Sequence, residues 1–144
     1  MFVSKTRPES VLAASELFQG MSRKELERFE RLGRLVQYGT GEMIVKQGLP
    51  AIAFFVITRG AVNVTQSQAG QERELRRLAA GDGFGELALF HDRPRTASVV
   101  TLEPTDCIAL HRLDFLNELR RSPDIAIHML EILSERVVEA EERN

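Results

Sequence analysis

The chain is predicted to fold as an α+β protein: a β-roll, a jelly-roll-like antiparallel barrel, flanked by N-terminal and C-terminal helices. Three observations predict it. Residues 1–33 carry apolar side chains at helical spacing and close on Gly33. Over residues 34–112 the period shortens to that of strands, and seven of the ten glycines lie between Gly39 and Gly83, in the breaks between the runs. From residue 113 the helical period returns. No repeat, low-complexity tract or long linker interrupts the pattern, and 144 residues are about the size of one domain, so a single unit over 1–144 is expected.

Each element has a local reason. A first helix over Ser10–Phe18 is expected from Val11, Leu12, Leu17 and Phe18, broken by Gly20. Ser22-Arg23-Lys24-Glu25 is a capping box, with serine at the N-cap and glutamate three residues on, and the helix it opens presents Leu26, Phe29 and Leu32. Strands are expected at Leu35–Tyr38, Met43–Lys46, Phe54–Thr58, Ala61–Thr65, Glu74–Leu78, Ala97–Thr101 and Cys107–Leu110. Val62 and Val64 alternate with Asn63 and Thr65, as in a half-buried strand. Short strands at this spacing with glycine-marked turns suit a sandwich or barrel. Asp114 is a candidate cap for a short helix ending at Arg121. Ser122-Pro123-Asp124 then starts a long helix, with serine at the cap, proline in the first turn and an acid at the positive end of the dipole. Its stripe of Ile125, Met129, Ile132, Leu133 and Val137 extends over about 20 residues, roughly 30 Å.

Composition excludes several classes. A net charge of −2 argues against a general nucleic-acid surface. Cys107 is the only cysteine, which removes internal disulfides and cysteine-pair zinc sites, and its apolar run makes it a buried structural thiol. No apolar run reaches the ~18 residues of a spanning helix, and residues 1–8 have no signal core. A soluble cytoplasmic protein is expected. No nucleophile with a matched base, P-loop or zinc spacing is present, so no enzymatic activity and no cofactor are expected. His91, His111 and His128 are too scattered for a ligand set, and Arg76-Arg77 and Arg120-Arg121 read as solvated faces.

The chemistry concentrates in Gly85-Glu86-Leu87-Ala88-Leu89 and, six residues later, Arg95-Thr96-Ala97-Ser98-Val99. Gly83 and Gly85 permit positive φ and close approach of a ligand to the backbone. Leu87, Ala88 and Leu89 would bury against the roll and hold the turn. Arg95 offers the bidentate fork that suits a phosphate. Glu86 beside a phosphate needs another partner, and a ribose 2′-hydroxyl, a donor, is one. A surface salt bridge between Glu86 and Arg95 is the plainer alternative.

These residues resemble the phosphate-binding cassette of the cyclic nucleotide-binding domains, with Phe84 and Pro94 extending the match. The likeness continues upstream in Tyr38-Gly39-Thr40-Gly41-Glu42, Lys46-Gln47-Gly48, Phe55-Val56-Ile57 and Arg59-Gly60-Ala61-Val62, and covers nearly the whole chain. It implies N-terminal helices over 1–33, a β-roll over 34–112 with the cassette at 84–99, and hinge and lid helices over 113–144. It also implies residue roles. Glu86 would accept from the ribose 2′-hydroxyl and Arg95 would pair with the cyclic phosphate. Gly85 and backbone groups around Leu87, Ala88 and Ala97 would complete the cradle. Leu78, Phe84 and Val64 would be apolar walls of the pocket.

Thr96 bears on the base, because its hydroxyl can accept from the 2-amine that guanine has and adenine lacks. Within the family, cAMP-dependent kinases usually carry alanine there, cGMP-dependent kinases threonine, and some channels that prefer cAMP also carry threonine. The expected ligand is cAMP, with cGMP second; Thr96 is equally readable as a plain strand residue. Arg136, beside Met129, Leu133 and Ala140, is the lid residue expected to approach the purine, or else a solvated helix arginine. The expected function is a cyclic-nucleotide sensor whose last helix is read by an unidentified effector protein or domain; the alternative is an interaction module that kept the fold without the ligand. With the last helix reaching Asn144, DNA binding by this chain is not expected.

Overall fold

The computed structural model describes residues 11–143. Two four-stranded antiparallel sheets form the roll. One has the order β1 (Arg34–Tyr38), β8 (Thr105–His111), β3 (Ala53–Arg59), β6 (Gly83–Phe84); the other has β2 (Met43–Val45), β7 (Ser98–Thr101), β4 (Ala61–Gln68), β5 (Gln71–Ala79). A 3-10 turn at Val11–Ala14, α1 (Glu16–Gln19) and α2 (Arg23–Glu30) precede it, and α3 (Arg112–Arg121) and α4 (Pro123–Glu142) follow. The expected β-roll with flanking helices is the fold found.

β3 explains how the layers join. Ala53 to Ile57 are all buried, because the period of two sends alternate side chains into two separate cores. Ala53, Phe55 and Ile57 enter the lumen with Val62, Val64, Phe84 and Val99. Phe54 and Val56 face the helices and join Phe18, Phe29, Phe115 and Met129. The Phe18 ring lies 5.5 Å from Phe29, 6.1 Å from Phe54 and 6.2 Å from Phe115. Each such side chain contributes about 1.5–3 kcal/mol of burial, so the helices and the roll stabilise each other. Cys107 is fully buried in the lumen, and burial, with the Asp106 charge adding to it, pushes its thiol up to about 12.

Several helix ends differ from expectation. The helix expected over Ser10–Phe18 is broken at Ser15 (Ser10 itself lies outside the described residues). Ser15 is extended, with φ −97° and ψ 134°, and its Oγ accepts from Leu17 N at 3.1 Å, capping α1 instead of continuing a helix. The Ser22–Glu25 capping box forms in both directions, at 3.2 and 2.8 Å. Gly33 lies beyond the end of α2; a Cβ there would come 2.6 Å from Ile108 Cγ2, so close approach to β8 requires the glycine. Asp114 does not cap α3, whose N-cap is His111; it lies in the first turn and takes Arg34 Nη2 at 3.3 Å. Ser122 is the N-cap of α4, yet its Oγ donates to Glu118 Oε2 at 3.2 Å, because buried Glu118, bound by Arg28 Nε at 2.9 Å, competes for the hydroxyl. The apolar stripe of α4 is buried at Ile125 and Met129 but leaves the core by Val137, which is 58% exposed. Among the described residues, no helix is long and apolar enough to cross a membrane.

Candidate functional site

The chain turns sharply after β6. Phe84 pairs with Phe55 in the ladder, and the two rings stack at 5.2 Å. Gly85 then takes φ +82°, and a single 3-10 turn runs over Glu86–Leu89, closed by Ala88 N donating to Gly85 O at 3.0 Å. Only a glycine meets that φ without strain. Ala88 and Leu89 are buried and hold the turn, as expected. Leu87 is not: at three residues per turn it faces away from the other two and is 62% exposed. Phe90 closes the turn edge-on against Phe115 of α3, at 5.4 Å.

Arg95 is fixed from two sides. Its main chain is tied to the β2–β3 loop: Arg95 N donates to Leu49 O at 2.9 Å and Gly48 N to Arg95 O at 2.8 Å, beside an isolated bridge between Pro50 and Pro94. Its side chain turns inward, and Nη2 donates to Ala53 O at 2.8 Å. The guanidinium packs so tightly on Gly85 that a Cβ there would overlap Arg95 Nη1. Gly85 is therefore required twice, for its φ and for its missing side chain. The Arg95 side chain is half-buried, and burial, the sole influence on it, pushes its pKa down.

The alternative of a Glu86–Arg95 salt bridge is not what forms. Glu86 Oε1 lies 3.8 Å from Arg136 Nη2, with both side chains about one-third exposed. Arg136 is thus carried by α4 onto the turn and is not merely a solvated arginine. The two residues form a wall between two concavities. One, about 330 Å³, is lined by Phe84, Gly85, Glu86, Arg136, Ser15 and Arg76. The other, about 440 Å³ and largely apolar, lies between the turn and α4, with Leu87, Phe90, Leu133 and Val137 on its sides.

Val64, Leu78, Phe84 and Ala97 come together in the apolar lumen. Thr96 is exposed at the rim, where its carbonyl accepts from Gln66 Nε2 at 3.0 Å. Arg76 and Arg77 are both exposed, as expected of a solvated pair, but they face different surroundings. Arg77 does face solvent, 3.3 Å from Glu74, but Arg76 pairs in register with Val64 and reaches the smaller cavity. Its position two residues before inward-facing Leu78 was the available signal, since alternate strand residues share a face.

Residues 35–122 match the Cyclic nucleotide-binding domain family, and the chain belongs to it. It is 33% identical over 131 residues to the cyclic AMP receptor protein of Thermus thermophilus, covering 90% of this chain and 61% of that protein. It is 36% identical over 108 residues to the cGMP-dependent protein kinase, isozyme 1, of Drosophila melanogaster, covering 72% of this chain and 14% of the kinase. The chain thus spans under two thirds of the length of either relative. Its fold matches the crystal structure of the N-terminal domain of a transcriptional regulator from Streptomyces coelicolor, with a TM-score of 0.84 and 24% identity over 93% of this chain and 94% of that one. The domain is of the type found in regulatory proteins.

Proposed function

We propose that the chain is a cyclic-nucleotide sensor, binding cAMP and, second to it, cGMP, in which ligand repositions α4. The observation that carries this is Arg95: a half-buried guanidinium held against Gly85 by one backbone carbonyl, its pKa lowered by burial and raised by no carboxylate among the described residues. An anionic phosphate supplies the missing counter-charge, and charged hydrogen bonds of this kind contribute about 1.5–3 kcal/mol. Gly85 and the backbone around Leu87, Ala88 and Ala97 complete the phosphate cradle. The Glu86 carboxylate accepts from the ribose 2′-hydroxyl. Phe84, Leu78 and Val64 form the apolar wall, Thr96 stands at the rim where the purine is distinguished, and Arg136 acts from the lid.

The coupling runs through Glu86. Its Oε1 stands 3.8 Å from Arg136 Nη2; a ribose that engages Glu86 competes for the same carboxylate and alters the hold on α4. Ligand shifts α4 only by as much as it binds the two positions unequally. Segments 1–33, 34–112 and 113–144 act in this scheme as one unit in the cytoplasm, and the effector is a protein or domain that reads α4.

Titration calorimetry with cAMP, cGMP and AMP, supported by thermal shift, tests the proposal. Ligand at a hundred times its Kd should stabilise the fold by about 2.7 kcal/mol. No binding of either cyclic nucleotide overturns it and favours a ligand-free interaction module on the same fold.

A further inference from the structure

Three successive main-chain carbonyls, those of Ala51, Ile52 and Ala53, are taken by two arginines. Ala53 O accepts from Arg95 Nη2 at 2.8 Å. The other two go to Arg112, the first residue of α3. Its backbone N–H donates to Ile52 O at 2.9 Å, and its Nη1 donates to Ala51 O at 3.3 Å. The Arg112 side chain is only 20% exposed, unlike an arginine that merely coats a surface. Its Nη2 also lies 3.9 Å from Asp92 Oδ2, a long and exposed contact that contributes little.

What these bonds restrain is specific. Arg95 has one anchor on its main chain, at Gly48 and Leu49, and another on its side chain, at Ala53. Pro50, Ala51 and Ile52 connect the two anchors; Pro50 is bridged to Pro94, but Ala51 and Ile52 belong to no strand, since β3 begins at Ala53 opposite His111. No sheet ladder holds this two-residue link. A shift in it moves one anchor of Arg95 relative to the other. Arg112 occupies both of its carbonyls.

From this geometry we infer that Arg112 is a positioning residue for anion binding: it fixes Ala51 and Ile52, and through them holds the Arg95 guanidinium against Gly85 before ligand arrives. The inference rests on the assignment of Arg95 to the phosphate. Arg112 also starts α3, which leads into α4, so the clip joins the phosphate end of the site to the helices that follow the roll.

The test reads Arg95 directly, without ligand. In isotope-labelled protein, the side-chain Nε–H and Nη–H signals of Arg95 are identified by their loss in Arg95→Lys. Arg112→Met removes the guanidinium but keeps the backbone donor. Its Arg95 signals should move towards those of a freely rotating guanidinium while the melting midpoint stays close to wild type. Affinity for cAMP should fall about five- to tenfold, the scale of one such hydrogen bond, with no further loss when Arg112→Met is added to Arg95→Lys. Arg112→Lys, which can reach one carbonyl, should recover part of both effects, and it replaces Arg112→Met in every comparison should the latter fail to fold. Unchanged Arg95 signals, or equal affinity losses in both backgrounds, overturn the inference. Wild-type protein that binds no cyclic nucleotide overturns the phosphate assignment instead, and the ligand-free Arg95 signals still decide what Arg112 does.

Discussion

Two corners of the roll pair a glycine with an arginine, and they behave in opposite ways. At the β3–β4 corner, Gly60 has φ +103° and Arg59 is clamped by Asp106, with Nε donating to Oδ2 at 3.0 Å and Nη2 to Oδ1 at 3.4 Å. The hydrogen bond to Asp106, followed by its charge, pushes the Arg59 pKa up. At the β6–β7 corner, Gly85 has φ +82°, and the Arg95 side chain has, among the described residues, a carbonyl partner and no carboxylate, with its pKa pushed down by burial. The first corner is electrostatically closed and the second is open. The residue types are the same; the difference is whether the described residues supply the counter-charge, as Asp106 does for Arg59 and none does for Arg95.

The two corners should differ most at their glycines. A Cβ at Gly60 would meet the backbone, 2.5 Å from Pro104 O, which cannot yield. Gly60→Ala should therefore lose about 2–4 kcal/mol in urea denaturation. At Gly85 the worst obstacle is the end of the Arg95 side chain, which can swing aside; the backbone Ala53 O, at 3.2 Å, is a milder contact. Gly85→Ala should cost stability about 1–2 kcal/mol of backbone strain, less than Gly60→Ala, yet displace Arg95 and weaken cAMP binding at least tenfold. Equal stability losses at the two sites would break the distinction.

Arg95→Ala should weaken cyclic-nucleotide binding by about ten- to a hundredfold without lowering the melting midpoint, because a half-buried cation with no counter-ion among the described residues is removed. Arg59→Ala should lower the midpoint and leave calorimetric affinity unchanged. A smaller effect is expected at the wall between the cavities: Arg136→Ala should reduce affinity a few-fold and change the cAMP/cGMP ratio, and no change in either removes Arg136 from the site.

The smallest effect belongs to another closed pair. Glu25 Oε1 accepts from Ser22 N and lies 3.0 Å from His128 Nδ1 on α4. Burial acts to raise the Glu25 pKa, but the Ser22 backbone bond and then His128 outweigh it, and the carboxyl is held below its ordinary value of 4.5. A depressed carboxylate contributes stability above its unfolded pKa and loses it as pH falls through the folded value. Glu25→Gln should therefore flatten the fall of melting midpoint between about pH 5 and pH 3; an unaltered acid limb would show that this pair contributes nothing.

Most of the roll was legible because alternation and glycine turns are local signals. What was missed is non-local. β6 is only two residues, too short for any period, and exists because β3 offers it a ladder. Ser15 and Ser122 both read as helix formers or caps; in one case the hydroxyl breaks a helix, and in the other a buried glutamate of the preceding helix captures it. The residues of the turn were legible as a motif, but Arg76 was not, since its partner across the ladder and the concavity it reaches come from separate elements.

The sequence by itself determined the family, the order of helices and strands, and the placing of one carboxylate in a glycine turn with one guanidinium shortly after it, because these depend on spacing along the chain. Only the tertiary structure decided which charge meets which. Glu86 went to Arg136 on α4, Arg95 to Ala53 O, and Arg59 to Asp106. Electrostatic partnership depends on distance and burial through space, and residues far apart in the chain set both.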